Sequence, residues 1–216
     1  TYFADWGTIL GTVRHGGYVP WDDDMDICMK REDYTRFKEA AKTELPKDFR
    51  IHDYEHQEDH WLFLSRVANS VHINFEPEHM KQFHNFPYIA GIDIFVLDYL
   101  YKDEQQEKQR CEEVKHIIAV ADSIIAGEIA QPVKEANLIQ LEEKYHKTFN
   151  RKLDNRHIGI ELYRLAEEQM ARVPKEESDR MAQIFPWGLL GNRGQDREYY
   201  EKFVRLPFEN TTMPVP

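Results

Sequence analysis

PWDDDMDICM, residues 20–29, sets aspartate at positions 22, 23, 24 and 26 between an apolar approach, Pro20-Trp21, and an apolar exit, Ile27-Cys28-Met29. Read as a strand from Met25 onward, the segment puts alternate side chains on one face. Asp24 and Asp26 then point one way while Met25 and Ile27 enter a core. Two carboxylates fixed on one point repel, and each raises the other's pKa unless a cation lies between them. A hard divalent ion with oxygen ligands answers that repulsion best; magnesium is the expected one, with manganese as the alternative. By composition alone an acidic run is more often a solvated loop or helix cap, but the apolar flanks on both sides argue against that here. A calcium loop ranks third. Asp22, Asp24 and Asp26 fill the first, third and fifth places of an EF-hand-like pattern, yet the sixth place, which needs glycine, holds Ile27.

Outward from this segment, GIDIFVLD (residues 91–98) supplies the natural third carboxylate. A strand over Ile92–Leu100 aims Asp93 away from Ile92 and Ile94, and a buried aspartate is costly unless paired, hydrogen-bonded or metal-bound. Asp98, at the strand end, reads as a turn or cap residue. Upstream, Gly7-Thr8 follows a strand-like Tyr2–Trp6 and opens a short helix over Thr8–Arg14. A helix N-terminus offers backbone N–H groups to phosphate. Arg14 suits a bidentate grip on a phosphate, with an ion pair into the aspartate cluster almost as good a reading.

The rest of the chain frames these elements. A helix is expected over Arg31–Leu45 and short strands over Phe49–Tyr54, Leu62–Ala68 and Val71–Phe75. Three helices, broken near Pro132 and Asp154, should follow Asp103, with a further short helix around Tyr199–Phe203. The fold class is therefore α/β (α+β), a small mixed sheet followed by a helical part. Expected divisions are a catalytic core over 1–102, a helical region over 103–184 and a C-terminal segment over 185–216 that packs back on the core. At 216 residues and 41% apolar content the chain can bury such a core. Its net charge of −11 speaks against a nucleic-acid polymer as partner. Cys28 and Cys111 are too few for a disulfide framework and fit a reducing cytoplasm. The most apolar helix candidate, His116–Ala130, is interrupted by Asp122 and Glu128. It reads as a buried helix, with peripheral contact at the inner membrane face as the weaker option. The chain starts directly in a strand-like segment and ends in a Pro-rich loop, as an excerpt of a longer protein would.

WGTILGTVRHGGYVPWDDDMDICMKREDY, residues 6–34, resembles the signature of the LicD family. That family is named for phosphocholine transferases that decorate bacterial surface glycans, is related to fukutin-type sugar-modifying enzymes, and has a nucleotidyltransferase-like fold. GIDIFVLD resembles its second motif, and LPFENTTMPVP, residues 206–216, its Phe-Glu motif. The resemblance implies that Gly7 and Thr8 grip a phosphate, that Asp24 and Asp26 are paired metal ligands, and that Asp93 is the third carboxylate, which chemically is also the best placed to act as the base. Asp22, in the same phase as the pair, is expected as a further metal ligand or as a residue supporting the ligands. Arg14 and Arg66, the latter in LSRVANS, are candidates for holding a diphosphate. The implied reaction moves a phosphoalcohol from CDP-choline or a similar CDP-alcohol to a carbohydrate acceptor, such as a teichoic acid or lipopolysaccharide, releasing CMP. Nucleotidyl transfer by the same aspartates and a catalytically silent nucleotide- or glycan-binding role are the alternatives. Two departures stand out: the helix that usually precedes the first strand is absent, and so is the Tyr-Gly-Asp segment that usually follows the Phe-Glu motif. Part of the pocket is thus expected to be missing.

Trp6, Tyr18, Trp21, Trp61 and Trp187 are available for a cation–π cage around choline, against core packing for each. His52, His56 and His60 fall at every fourth position, but their acidic, loop-like surroundings read as a solvated segment outside the site.

Overall fold

The computed structural model describes residues 1–22, 24–57, 60, 62–69, 74–82 and 91–216. Asp23, Trp61 and most of the strand expected over Val71–Phe75 lie outside the described residues. The fold is α/β, and the chain divides into two compact units, residues 1–98 with 195–216, and residues 99–194.

The first unit is built on strands β1 (Phe3–Ala4), β2 (Met25–Lys30), β3 (Arg50–His52), β4 (Ser65–Ala68) and β5 (Gly91–Tyr99), in the order β1-β2-β5-β4-β3. β2 and β5 run parallel; the other neighbours are antiparallel. Period-two alternation sorts the side chains. Ile27 and Met29, Ile94 and Val96, and Val67 form one buried cluster, with Met25 and Ile92 packed against it, so Asp26, Asp93 and Arg66 occupy the opposite face. Each such side chain taken from water stabilises the fold by about 1.5–3 kcal/mol. That burial fixes which face carries the polar row, because a one-residue slip would turn every side chain over.

Helix α1 (Trp6–His15) starts earlier than the sequence pattern predicts, because Asp5 is an N-cap in extended conformation whose side chain accepts from Trp6 N. The first strand is correspondingly short. α2 (Arg31–Glu44) follows β2 directly, and α3 (Pro77–Gln82) is a short helix before β5. Tyr34 on α2 hydrogen-bonds Ser65 at 2.5 Å in the interior.

In the second unit, α4 (Glu104–Ile125), α5 (Gln131–Tyr145) and α6 (Asn155–Met170) begin where the breakers predict, with Pro132 in the first turn of α5 and Asp154 capping α6. α4 and α6 pack along buried faces that include Val114, Ile117 and Ile124 on one and Ile158, Leu162 and Leu165 on the other. A Cβ on Gly159 would sit 2.3 Å from Ile125 Cγ1, so the glycine makes room for the Ile125 side chain between the two helices. Arg110, fully buried, donates to the carbonyls of Tyr99 at 2.9 Å and Met170 at 2.7 Å and to Glu107. Strand β6 (Arg180–Ala182) also belongs to this unit. Among the described residues no helix is long and apolar enough to cross a membrane.

The chain then returns to the first unit through β7 (Gln195–Asp196), β8 (Val204–Phe208) and β9 (Thr211–Val215). A 3₁₀ turn over Arg197–Tyr200 stands where a helix over Tyr199–Phe203 is expected. β8 and β9 form an antiparallel hairpin whose Phe208, Met213 and Val215 join the core of the sheet.

Asp98 is neither a turn nor a cap residue. Buried at 1% exposure, it accepts Arg31 Nε at 2.8 Å and Nη2 at 2.7 Å, locking the start of α2 to the end of β5. Breaking a buried bidentate pair strands the remaining charge. Asp98→Ala is expected to cost about 3 kcal/mol in urea unfolding; a loss under about 1 kcal/mol, the range of an exposed pair, would show that the pair is dispensable.

Candidate active site

Strand pairing assembles a polar row across the sheet. Asp26 on β2 is in register with Asp93 on β5, Asp93 with Arg66 on β4, and Arg66 with His52 on β3. Residues opposite one another in neighbouring strands share a face, so four strands contribute one polar side chain each at the same level. Asp24, immediately before β2, completes the cluster: oxygens of Asp24, Asp26 and Asp93 lie within 4.8 Å of one another. Asp26 and Asp93 are only 9% and 7% exposed.

The electrostatics follow from that crowding. Burial pushes the Asp26 carboxyl up to about 7, reinforced by the charges of Asp24 and Asp93 and, more weakly, Asp5 and Asp22. Arg66 relieves part of this, donating Nε to Asp93 Oδ1 at 2.5 Å and Nη2 to Oδ2 at 2.8 Å. That pairing in turn holds its own pKa up. Three carboxylates converge here, and the donors are all oxygen. The arrangement therefore fits a hard divalent cation better than a thiolate- or imidazole-seeking metal.

Helix α1 holds Asp26 in place through both of its backbone groups. Asp5 N donates to Asp26 O at 3.0 Å, and Asp26 N donates to Thr8 Oγ1 at 2.8 Å. Thr8 is 1% exposed, so its hydroxyl serves the strand and the residue does not present itself to a phosphate. Gly7 lies within the first turn of α1, where helix geometry leaves N–H groups without intrahelical acceptors. A Cβ on Gly7 would fall 1.9 Å from Asp22 Oδ2. Asp22, expected among the metal ligands, thus lies against Gly7 at the positive end of the helix, apart from the three convergent carboxylates. Arg14 is not brought to the cluster either. α1 continues to His15, which puts Arg14 in the last turn, about 12 Å along the axis from Trp6. There its charge complements the helix dipole.

Four residues that border the site, Asp5, Glu209, His52 and His60, have no place in it on the sequence pattern alone. Asp5 sits at the strand-to-helix junction, and an aspartate directly before a helical pattern is a capping signal. Glu209, the acid of the Phe-Glu motif, adopts φ 51° and donates its N–H to Gly16 O at 2.7 Å. Its Oε1 accepts from Tyr18 N at 3.1 Å. A Cβ on Gly17 would come within 2.1 Å of that oxygen, so the glycine is needed for the approach. The hairpin thereby pins the turn leading into the acidic segment, and Phe208 packs edge-on against Tyr18 with ring centroids 4.9 Å apart. His52 and His60 line a cavity with Arg66 and Asp93. Only His56, paired with Asp53 at 2.6 Å and 60% exposed, keeps the solvated character expected of all three histidines. Of the aromatics, Trp21 is 80% exposed, Trp6 packs near Phe95, and Trp187 belongs to the second unit.

Comparison with known proteins adds the following. The family described as "LicD/FKTN/FKRP, nucleotidyltransferase domain" matches residues 1–120. Over 37 residues the chain is 49% identical to the "Lipopolysaccharide cholinephosphotransferase LicD" of Haemophilus influenzae, a stretch covering 17% of this chain and 14% of that protein. It is 47% identical over 38 residues to an uncharacterized protein of Rickettsia typhi, covering 18% of this chain and 12% of that one. An uncharacterized protein of Rickettsia prowazekii is 53% identical over 32 residues, 15% of this chain and 12% of that one. The chain therefore covers only a small part, 12–14%, of the length of these relatives. No solved structure gives a significant match.

The raised Asp26 pKa has a consequence for stability. An unfolded aspartate titrates near 3.9, so between there and about 7 the folded state keeps a proton that the unfolded state has lost, and stability falls as pH rises through that window. In chelator, the melting temperature is expected to drop from about pH 5 to about pH 8, and Asp26→Asn to flatten the slope. Magnesium added at the upper pH should restore the wild-type loss. Equal slopes in wild type and variant, followed by scanning calorimetry, would place the repulsion elsewhere.

Proposed function

Since the chain belongs to the LicD/FKTN/FKRP family, we propose that it is a metal-dependent phosphotransferase that moves a phosphoalcohol from a CDP-activated donor to a hydroxyl of a cell-surface glycan. Phosphocholine is the first choice of phosphoalcohol, in keeping with the name of the Haemophilus influenzae relative. The observation that carries the reading is the convergence of Asp24, Asp26 and Asp93 beside the N-terminus of α1.

Asp24, Asp26 and Asp93 would hold magnesium or manganese, which when bound neutralises charge developing on the donor diphosphate. The Gly7 N–H, in the first turn of α1, would orient a phosphate oxygen at the helix N-terminus. Arg66, 41% exposed beyond its contact with Asp93, offers a cationic edge to the same diphosphate. A proton leaving the acceptor hydroxyl would pass to a carboxylate of this cluster within hydrogen-bond reach, the bound metal lowering the pKa of the hydroxyl. Asp93, expected as the base, already accepts from Arg66 with both oxygens. A cytoplasmic setting, with the glycan presented at the inner membrane face, goes with a CDP-activated donor. The same residues also suit transfer of the nucleotide itself, and the product separates the two: CMP is released in one case and becomes attached to the acceptor in the other.

Calorimetric titration with CDP-choline, CDP-ethanolamine, CDP-ribitol and UDP-sugars tests this reading. One CDP-alcohol should bind only with magnesium or manganese present, and Asp24→Asn should weaken that binding by about 100-fold or more, in line with loss of a direct metal ligand. Binding that ignores both the metal and the substitution would remove the aspartates from the donor site.

A further inference from the structure

Beyond the carboxylates, the polar row ends in a cavity of about 230 Å³. The Arg66–Asp93 pair lines it, and His52 joins it because β3 and β4 place His52 in register with Arg66. Gln57, His60, Leu62 and Leu64 complete the described lining. We propose that this cavity is the acceptor subsite and takes one neutral monosaccharide ring, with His52, Gln57 and His60 hydrogen-bonding its hydroxyls and the leucines meeting its C–H face. This assignment rests on the phosphotransferase reading for the word acceptor, though not for the ligand chemistry.

Size and charge select the ligand. The volume is below the roughly 300 Å³ at which drug-sized pockets begin, too small for a nucleotide with its diphosphate. A quaternary ammonium seeks aromatic faces or an uncompensated anion. Asp93, the carboxylate in the described lining, is engaged by Arg66. Sugar hydroxyls need donors and acceptors together, which an amide and neutral imidazoles supply. His60 Nε2 lies 2.9 Å from Leu64 O, so in the neutral ring that nitrogen carries the proton and Nδ1 is left as an acceptor. Position agrees with the chemistry. The start of α1 adjoins Asp26 through Thr8, whereas the cavity adjoins Asp93. A donor phosphate at the helix and a sugar in the cavity would then flank the carboxylates, one on the Asp26 side and the other on the Asp93 side.

Saturation-transfer NMR on the whole chain tests this with methyl galactoside, methyl glucoside and methyl N-acetylglucosaminide as probes and choline chloride as competitor. At least one glycoside should give a signal in the wild type that falls about fivefold or more in both Gln57→Ala and His52→Ala. Gln57 is only half-buried, so Gln57→Ala carries the test if the strand variant melts early. The inference is overturned if no glycoside binds, if the signal survives Gln57→Ala, or if choline displaces the glycoside. CDP-alcohol titrations run alongside keep the two readings apart. If no donor binds to the wild type, the phosphotransferase reading fails while the glycoside signal still decides the cavity. If Gln57→Ala abolishes donor binding, the cavity belongs to the donor and the acceptor assignment is lost.

Discussion

Mutual repulsion among Asp24, Asp26 and Asp93 is the constraint around which the first unit is organised. Left to themselves, three carboxylates within 4.8 Å would spread apart. They stay together because the parallel pairing of β2 and β5 brings Asp26 opposite Asp93. That register is itself fixed by the apolar residues alternating with them on the other face of the sheet. The hydrophobic core thus provides the force that holds like charges together, and the raised pKa of Asp26 reflects first its burial and then the charges of Asp24 and Asp93.

Neighbouring elements relieve or confine the repulsion without abolishing it. Arg66 offsets one carboxylate from the adjacent strand. Thr8 and Asp5 bind the backbone of Asp26, so the strand cannot peel away from the helix to let its charge out. Glu209 reaches from the C-terminal hairpin to the turn at Gly16–Tyr18, which limits how far the acidic segment can swing. Preorganisation of this kind suits a site that must accept a highly charged ligand, because the cost of assembling the charges is met by folding and not by binding.

The interior of the second unit follows different physics. Its helices owe their limits to local signals, a proline in the first turn of α5 and an aspartate cap on α6. The buried Arg110 is tolerated because two carbonyls and a glutamate accept from its two terminal nitrogens. No comparable cluster of converging carboxylates occurs there among the described residues.

How much of this was legible beforehand depends on the range over which each signal acts. The two-residue alternation in MDICM and GIDIFV, and the high cost of burying an unpaired aspartate, were enough to single out Asp24, Asp26 and Asp93 and the class of ion they suit. Helix breaks at Pro132 and Asp154 were equally local. Contacts between distant parts of the chain were not readable in this way. Arg14 lies near the aspartates in sequence, but the length of α1 carries it to the far end of the helix. Arg66 and His52 are distant in sequence, yet strand register sets them in the same row as Asp93. Thr8 looks like a phosphate ligand until Asp26 claims its hydroxyl, and Glu209 acquires a role only when the hairpin folds back onto Gly16–Tyr18. Composition and periodicity decide which residues must face a core and which must face one another across it. Partner choice among the polar residues is a property of strand register and helix length, which only the packed tertiary structure specifies.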